Sequence, residues 1–141
     1  TGNLRNHFGN YYNWPAATAG SGTADITTDG TSVNDSICPK NWQLPQNSGT
    51  KSFQNLIRTV YGISATNTDA SVIAEPLHFI HSGSYFWNDA NLRNQGTNGS
   101  FWSSAARSDV QSHHLDFYGT SLNPQSGASK GIGFTVRCVA R

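Results

Sequence analysis

Hydrophobic positions change their period part-way along this chain. Phe53, Leu56, Ile57 and Val60 recur at i, i+3, i+4 and i+7 and so share one side of a helix. Thr50 or Ser52 supplies an N-cap and Gly62 a stop. A second, weaker helix is predicted over residues 68–74, with Asp69 in its first turn and Pro76 beyond its end. Past Pro76 the spacing falls to two: Leu77 and Phe79, Leu115 and Phe117, then Phe134, Val136 and Cys138, with Trp102 and Val110 in short runs of the same kind. Turns rich in Gly, Asn and Pro separate these runs, which read as strands.

Before the helix the pattern is less regular. Residues 9–19 are aromatic and bounded by glycines, as a strand leading into a turn would be. Residues 20–36 are small or polar, broken by Gly20, Gly22 and Gly30, and read as an exposed loop. One or two helices followed by short antiparallel strands with long loops define an α+β class. The 141 residues suit a single domain over 1–141.

Composition narrows the partners. Only 12% of residues are charged and the net charge is +1, with Asn, Ser, Thr and Gly carrying the polarity. Nucleic-acid binding rests on clustered Lys and Arg, so no nucleic acid is expected. No apolar run approaches the ~20 residues that span a bilayer, so direct membrane insertion is not expected either. A chain that opens on Thr1 reads as a mature or excised part of a larger, surface-anchored protein.

Cys38 and Cys138 lie far apart and lack C-x-x-C spacing. A long-range disulfide is their natural reading, worth roughly 4–5 kcal/mol for a loop of this length. It persists only in an oxidising place, which points outside the cell. The alternative is a pair of buried thiols in a cytosolic protein.

Four blocks carry a resemblance: Tyr12-Asn13-Trp14-Pro15-Ala16-Ala17-Thr18, Ser36-Ile37-Cys38-Pro39-Lys40-Asn41-Trp42-Gln43-Leu44-Pro45, Phe101-Trp102-Ser103-Ser104 and Gly133-Phe134-Thr135-Val136-Arg137-Cys138-Val139. In this order they resemble the Fibrobacter succinogenes major paralogous-type domains of bacteria. These are similar to C-type-lectin-like and formylglycine-generating-enzyme-like folds, a group that includes the variable proteins of diversity-generating retroelements. Asn41 stands where that pattern usually has Gly, and Gln43 where it has Arg. The resemblance implies a C-type-lectin-like fold, a Cys38–Cys138 bridge, core roles for Trp14, Trp42 and Trp102, and a displayed ligand-binding domain without catalysis. It also implies that ligand-contacting positions gather in the C-terminal third.

Residues 100–119 concentrate polar chemistry between aromatic anchors and read as two strands and their connection. If Leu115 and Phe117 point inward, alternation sets His114, Asp116 and Tyr118 together on the other face. Any antiparallel sheet with one wet face shows such a row, so the resemblance is what singles it out. Trp87 lies in a loop-like stretch among Asn88, Asn91, Arg93 and Asn94, a mixture that suits protein or glycan ligands.

Metal and catalytic chemistry find less support. His78 and His81, and likewise His113 and His114, have odd spacing in extended backbone and diverge. His114 with Asp116 gives two ligands where zinc needs three or four. Asn88 and Asp89 with Glu75 imitate a calcium-lectin triplet, but Glu75-Pro76-Leu77 lacks the amide that completes it, and coincidence is the better reading. No G-x-S-x-G turn is present, and Glu75 is the only Glu among eight acids, too few for a convincing glycosidase pair. The sequence therefore predicts no metal and no cofactor.

The resulting expectation is a non-catalytic, extracellular or cell-surface recognition domain. Its binding face would comprise Trp87, Asn88, Asn91, Arg93, Arg107, Asp109, Gln111, His114, Asp116 and Tyr118. Protein is the first expected ligand, because Tyr, Trp and Arg among small polar residues resemble a paratope, and glycan the second. A structural spacer in a surface or pilus-tip protein and a divergent formylglycine-generating-like enzyme are the alternatives.

Overall fold

The computed structural model describes residues 8–23, 26, 28–62 and 76–141. Its elements are α1 (Trp14–Ala17), β1 (Trp42–Gln43), α2 (Phe53–Tyr61), β2 (Ser84–Phe86), β3 (Asn91–Arg93), β4 (Asn98–Ala106), β5 (Gln111–Tyr118), β6 (Ser121–Ser129) and β7 (Val139–Ala140). Among the described residues, helices α1 and α2 with small antiparallel sheets give an α+β class.

Helix α1 corrects the strand expected over residues 9–19. Asn13, in extended backbone, accepts from the Ala16 N–H at 2.9 Å, and Pro15 sits in the first turn where no donor is needed. Only Tyr12 pairs as a strand residue, with Phe134. Helix α2 follows its predicted caps: Ser52 Oγ accepts from the Asn55 N–H at 3.1 Å, and Gly62 closes it with φ 67°. Phe53 and Ile57 are buried, whereas Val60, at the last turn, stays exposed. The helix predicted over 68–74 lies outside the described residues.

The main sheet runs β4-β5-β6, antiparallel throughout, with Phe101 opposite Leu115 and Trp102 opposite His114. This is the pair of strands expected within residues 100–119. The segment 30–33 extends the sheet beyond β4: Gly30 N–H donates to Ala106 O, Ala106 N–H to Thr31 O and Val33 N–H to Ser104 O. Gly22, in the loop read as exposed, is buried against Trp14 and Thr18.

Three consecutive residues near the C-terminus join separate parts of the fold. Gly133 bridges to Tyr85, Phe134 to Tyr12 and Thr135 to Phe101. A few residues later, Cys138 is bonded to Cys38 across 100 residues of sequence, and β7 pairs with β1.

Apolar side chains gather in two clusters. Phe53, Ile57, Phe79, Phe101, Leu115, Phe117 and Leu122 form one; Trp14, Ala17, Leu44, Trp102, Ala106 and Phe134 form the other. Phe101 and Trp102 are successive residues of β4, so they point to opposite faces and the sheet has a core on each. Strand β4 is accordingly buried from Gly99 to Ala106. Trp14 and Trp102 are fully buried, as the resemblance implied. Trp42 is not: it is 46% exposed, because the two-residue ladder β1–β7 leaves its side chain uncovered.

Candidate functional site

The second core changes the face predicted on β5. His114 is only 4% exposed and packs edge-on to Trp102 at 5.9 Å and against Phe134 at 4.6 Å. It is therefore a core residue and cannot meet a ligand with Tyr118. Burial pushes its pKa down to about 3, against a hydrogen bond to the Ser126 backbone that acts the other way. The same strand face becomes wetter towards its end. Asp116 is half-buried and accepts from Ser100 Oγ at 3.2 Å, while Tyr118 is 50% exposed. Burial raises the Asp116 pKa, and the Ser100 hydrogen bond opposes that rise.

Gln111 and Tyr118 are the two ends of β5. At ~3.3 Å per residue they stand about 23 Å apart, so the ten expected residues do not form one compact site. Trp87 falls at the Gln111 end. Its indole lies over Gly131: a Cβ built there would come within 2.9 Å of Trp87 Nε1 and 3.8 Å of Ser129 Oγ. Ser129 is the register partner of Gln111, and Lys130 N–H donates to Val110 O. Trp87, Gly131, Ser129, Gln111 and Val110 thus follow one another across this end of the sheet.

The β4–β5 connection places the next residues. Ser108 Oγ accepts from the Gln111 N–H at 3.1 Å, and Arg107 N–H donates to Gln111 O at 2.9 Å. This tight turn leaves Arg107, Asp109 and Val110 exposed. The Asp109 carboxylate accepts from the Val110 N–H at 2.9 Å. Val110, expected in a strand run, instead belongs to the turn and is 63% exposed. Arg107 runs along the sheet over Gly127, with Nη1 2.1 Å from the Cβ that residue lacks. Any side chain there would displace it.

Trp87 is 68% exposed, at the turn between β2 and β3. Asn88, Asn91 and Arg93 of this hairpin are exposed too. Arg93 is ion-paired with Asp89 and stands over the Phe86 ring at 4.1 Å. Asp89 also accepts from the Asn91 N–H at 3.2 Å, so its carboxylate is already engaged. The paired arginine keeps it below the usual carboxylate range. Glu75 of the calcium-like triplet lies outside the described residues, and no cluster of three His, Cys, Asp or Glu suited to a metal occurs among the described ones.

His113 does meet a carboxylate. Its Nε2 is 2.6 Å from Asp29 Oδ1, and its Nδ1 is 3.3 Å from Gln125 O. Asp29 reaches it from the segment laid along β4, and the hydrogen bond to His113 lowers the Asp29 pKa. Both ring nitrogens are thereby engaged, and the pair fixes the loop to the sheet. Sequence reasoning missed this pairing, because 84 residues separate its partners. It also missed Gly131, whose signal was only an unexplained glycine just past a strand.

No protein-family model, curated protein or solved structure matches this chain.

Proposed function

We propose that the chain is a non-catalytic recognition domain of C-type-lectin-like build, displayed outside the cell, that binds protein through the Trp87 end of its sheet. The observation that carries this is Trp87 itself, two-thirds exposed and laid over Gly131 beside Val110, Gln111 and Ser129. Exposed apolar side chains normally occur singly; here Trp87 and Val110 flank the same Ser129–Gly131 segment and are rimmed by Arg107, Asp109 and Gln111. An aromatic anchor with a polar rim is the composition of binding hot spots.

The disulfide supports an oxidising location. It also occupies both cysteines of the chain, which removes the paired thiols that a formylglycine-generating-like reaction requires. Asn41 supports the resemblance in a different way. Its φ is 67°, a left-handed conformation that glycine takes without strain and asparagine tolerates best among the rest. The glycine usual in the pattern and the asparagine of this chain answer the same backbone demand.

The test is an array of purified surface proteins and glycans, probed with the wild type and with Trp87→Ala. A specific protein signal that disappears in the variant, while thermal unfolding is unchanged, is the expected result. A wild-type domain without specific signal would favour a structural spacer. A signal that survives Trp87→Ala would move the site elsewhere, and one confined to glycans would replace the protein ligand.

A further inference from the structure

Beside the disulfide, away from Trp87, lies a groove of about 490 Å³. Ligand sites ordinarily occupy roughly 300–1,000 Å³. Its walls join apolar side chains, Tyr12, Ile37, Ile80, Phe101 and Val136, to the polar Asn10, His78 and Thr135. Among the described residues no acidic side chain lines it, and the fixed charge they bring to it is Arg137.

Arg137 is unusual in its surroundings. Its guanidinium stands 5.2 Å from the centroid of the Phe79 ring, and Phe79 is itself buried in the first core cluster. The ring attracts the cation and accepts none of its five N–H donors in an ordinary hydrogen bond. Among the described residues no carboxylate or carbonyl accepts from those donors either, although Arg137 is half-buried. A positioned cation with open donors, set beside the apolar side chains of a groove to which no described residue adds an acid, complements one kind of ligand.

We propose that this groove is a second binding site, for a small free carboxylate with an apolar body. Arg137 takes the carboxylate through parallel N–H···O bonds, a geometry its planar fork matches. The body of the ligand lies against Ile37, Ile80 and Val136, where it removes apolar surface from water. The site is separate from the Trp87 surface and does not depend on it.

Decanoate and its neutral counterpart decanol are the probes, followed by calorimetry and by the methyl NMR signals of Ile37, Ile80 and Val136. Decanoate is expected to bind, with shifts centred on these methyls, and decanol to bind at least about tenfold more weakly. Arg137→Gln is expected to weaken decanoate by a similar factor and abolish the preference, while Arg137→Lys keeps the preference at reduced affinity. Trp87→Ala binds decanoate as the wild type does, which separates this site from the recognition surface. The proposal is overturned if decanoate shifts no groove methyl, if it binds no better than decanol, or if a folded Arg137→Gln binds it undiminished. Should Arg137→Gln fail to fold, the decanoate-to-decanol ratio of the wild type and of Arg137→Lys decides the matter.

Discussion

The Phe117 ring fills the space where a side chain at residue 99 would stand: a Cβ built on Gly99 would lie 2.0 Å from Phe117 Cζ. The two residues are register partners on β4 and β5, and Phe117 is 1% exposed. A buried ring among Phe79, Phe101 and Leu122 has nowhere to retreat. Gly99→Ala is therefore expected to cost about 1–3 kcal/mol by overpacking. Urea unfolding measures it, and the double variant with Phe117→Leu should fall short of additivity, because the smaller side chain frees the space. An additive pair would show that the clash is absent.

His114 makes stability depend on pH. Its folded pKa of about 3 lies below the ordinary 6.5, so the unfolded chain binds a proton that the folded chain refuses. The contribution is complete above pH 6.5 and is lost as pH falls towards 3, to an upper limit of roughly 4–5 kcal/mol. Asp116 has the opposite sign: its raised pKa gives stability that is full below the ordinary carboxylate value and lost as pH rises through the folded one. Comparing Asp116→Asn with Asp116→Asn/His114→Phe isolates the histidine. The double variant should lose much less stability between pH 7 and pH 4; equal losses would place His114 in contact with water.

Which parts of this fold were legible follows from what each signal measures. Helix α2 was readable because Ser52, Gly62 and its apolar stripe act locally. The strands within 100–119 were readable from their spacing and turn. The alternation of β5 was readable as well, with Leu115 and Phe117 in one core and His114 on the opposite face, but the burial of that face was not, since a single wet face was assumed and this sheet has a core on each. His114 was misplaced for that reason, while Tyr118, beyond the second core, was not. Helix α1 was missed because four residues are too few to show a period; the roles of Asn13 as cap and Pro15 as first-turn proline emerge only from the structure. Of the expected site, the hairpin residues, Arg107 and Asp109 are exposed and Gln111 is half-buried. Their meeting with Trp87 depends on Gly131 and Ser129, which pattern alone does not single out.

Breaking the disulfide should weaken the whole chain and loosen one part most. The bridge spans 100 residues, so Cys38→Ser/Cys138→Ser is expected to lose roughly 2–5 kcal/mol. The short ladder β1–β7, held by Trp42 opposite Ala140 and by the Arg141 N–H donating to Asn41 O, stands beside it. Urea unfolding with and without reductant gives the global effect, and hydrogen exchange the local one. The Trp42 and Arg141 amides should lose protection before those of β5, and uniform loss would mean that the bridge does not hold that ladder specifically.

The pose of Trp87 can be altered without touching either core. At Gly131 a new methyl would stand 2.9 Å from Trp87 Nε1, too close for the ring to stay where it is, and 3.2 Å from Cδ1. Gly131 has no left-handed φ to lose, and Trp87 is exposed enough to swing away, so Gly131→Ala should leave stability within about 0.5 kcal/mol. The indole, lifted off the sheet, should become more open to iodide quenching. Since the chain has four tryptophans, Trp87→Phe in both backgrounds isolates this one. If Trp87 is the anchor of the recognition surface, Gly131→Ala also lowers the protein-array signal at unchanged stability. Identical quenching in the two backgrounds would show that the indole does not rest on Gly131.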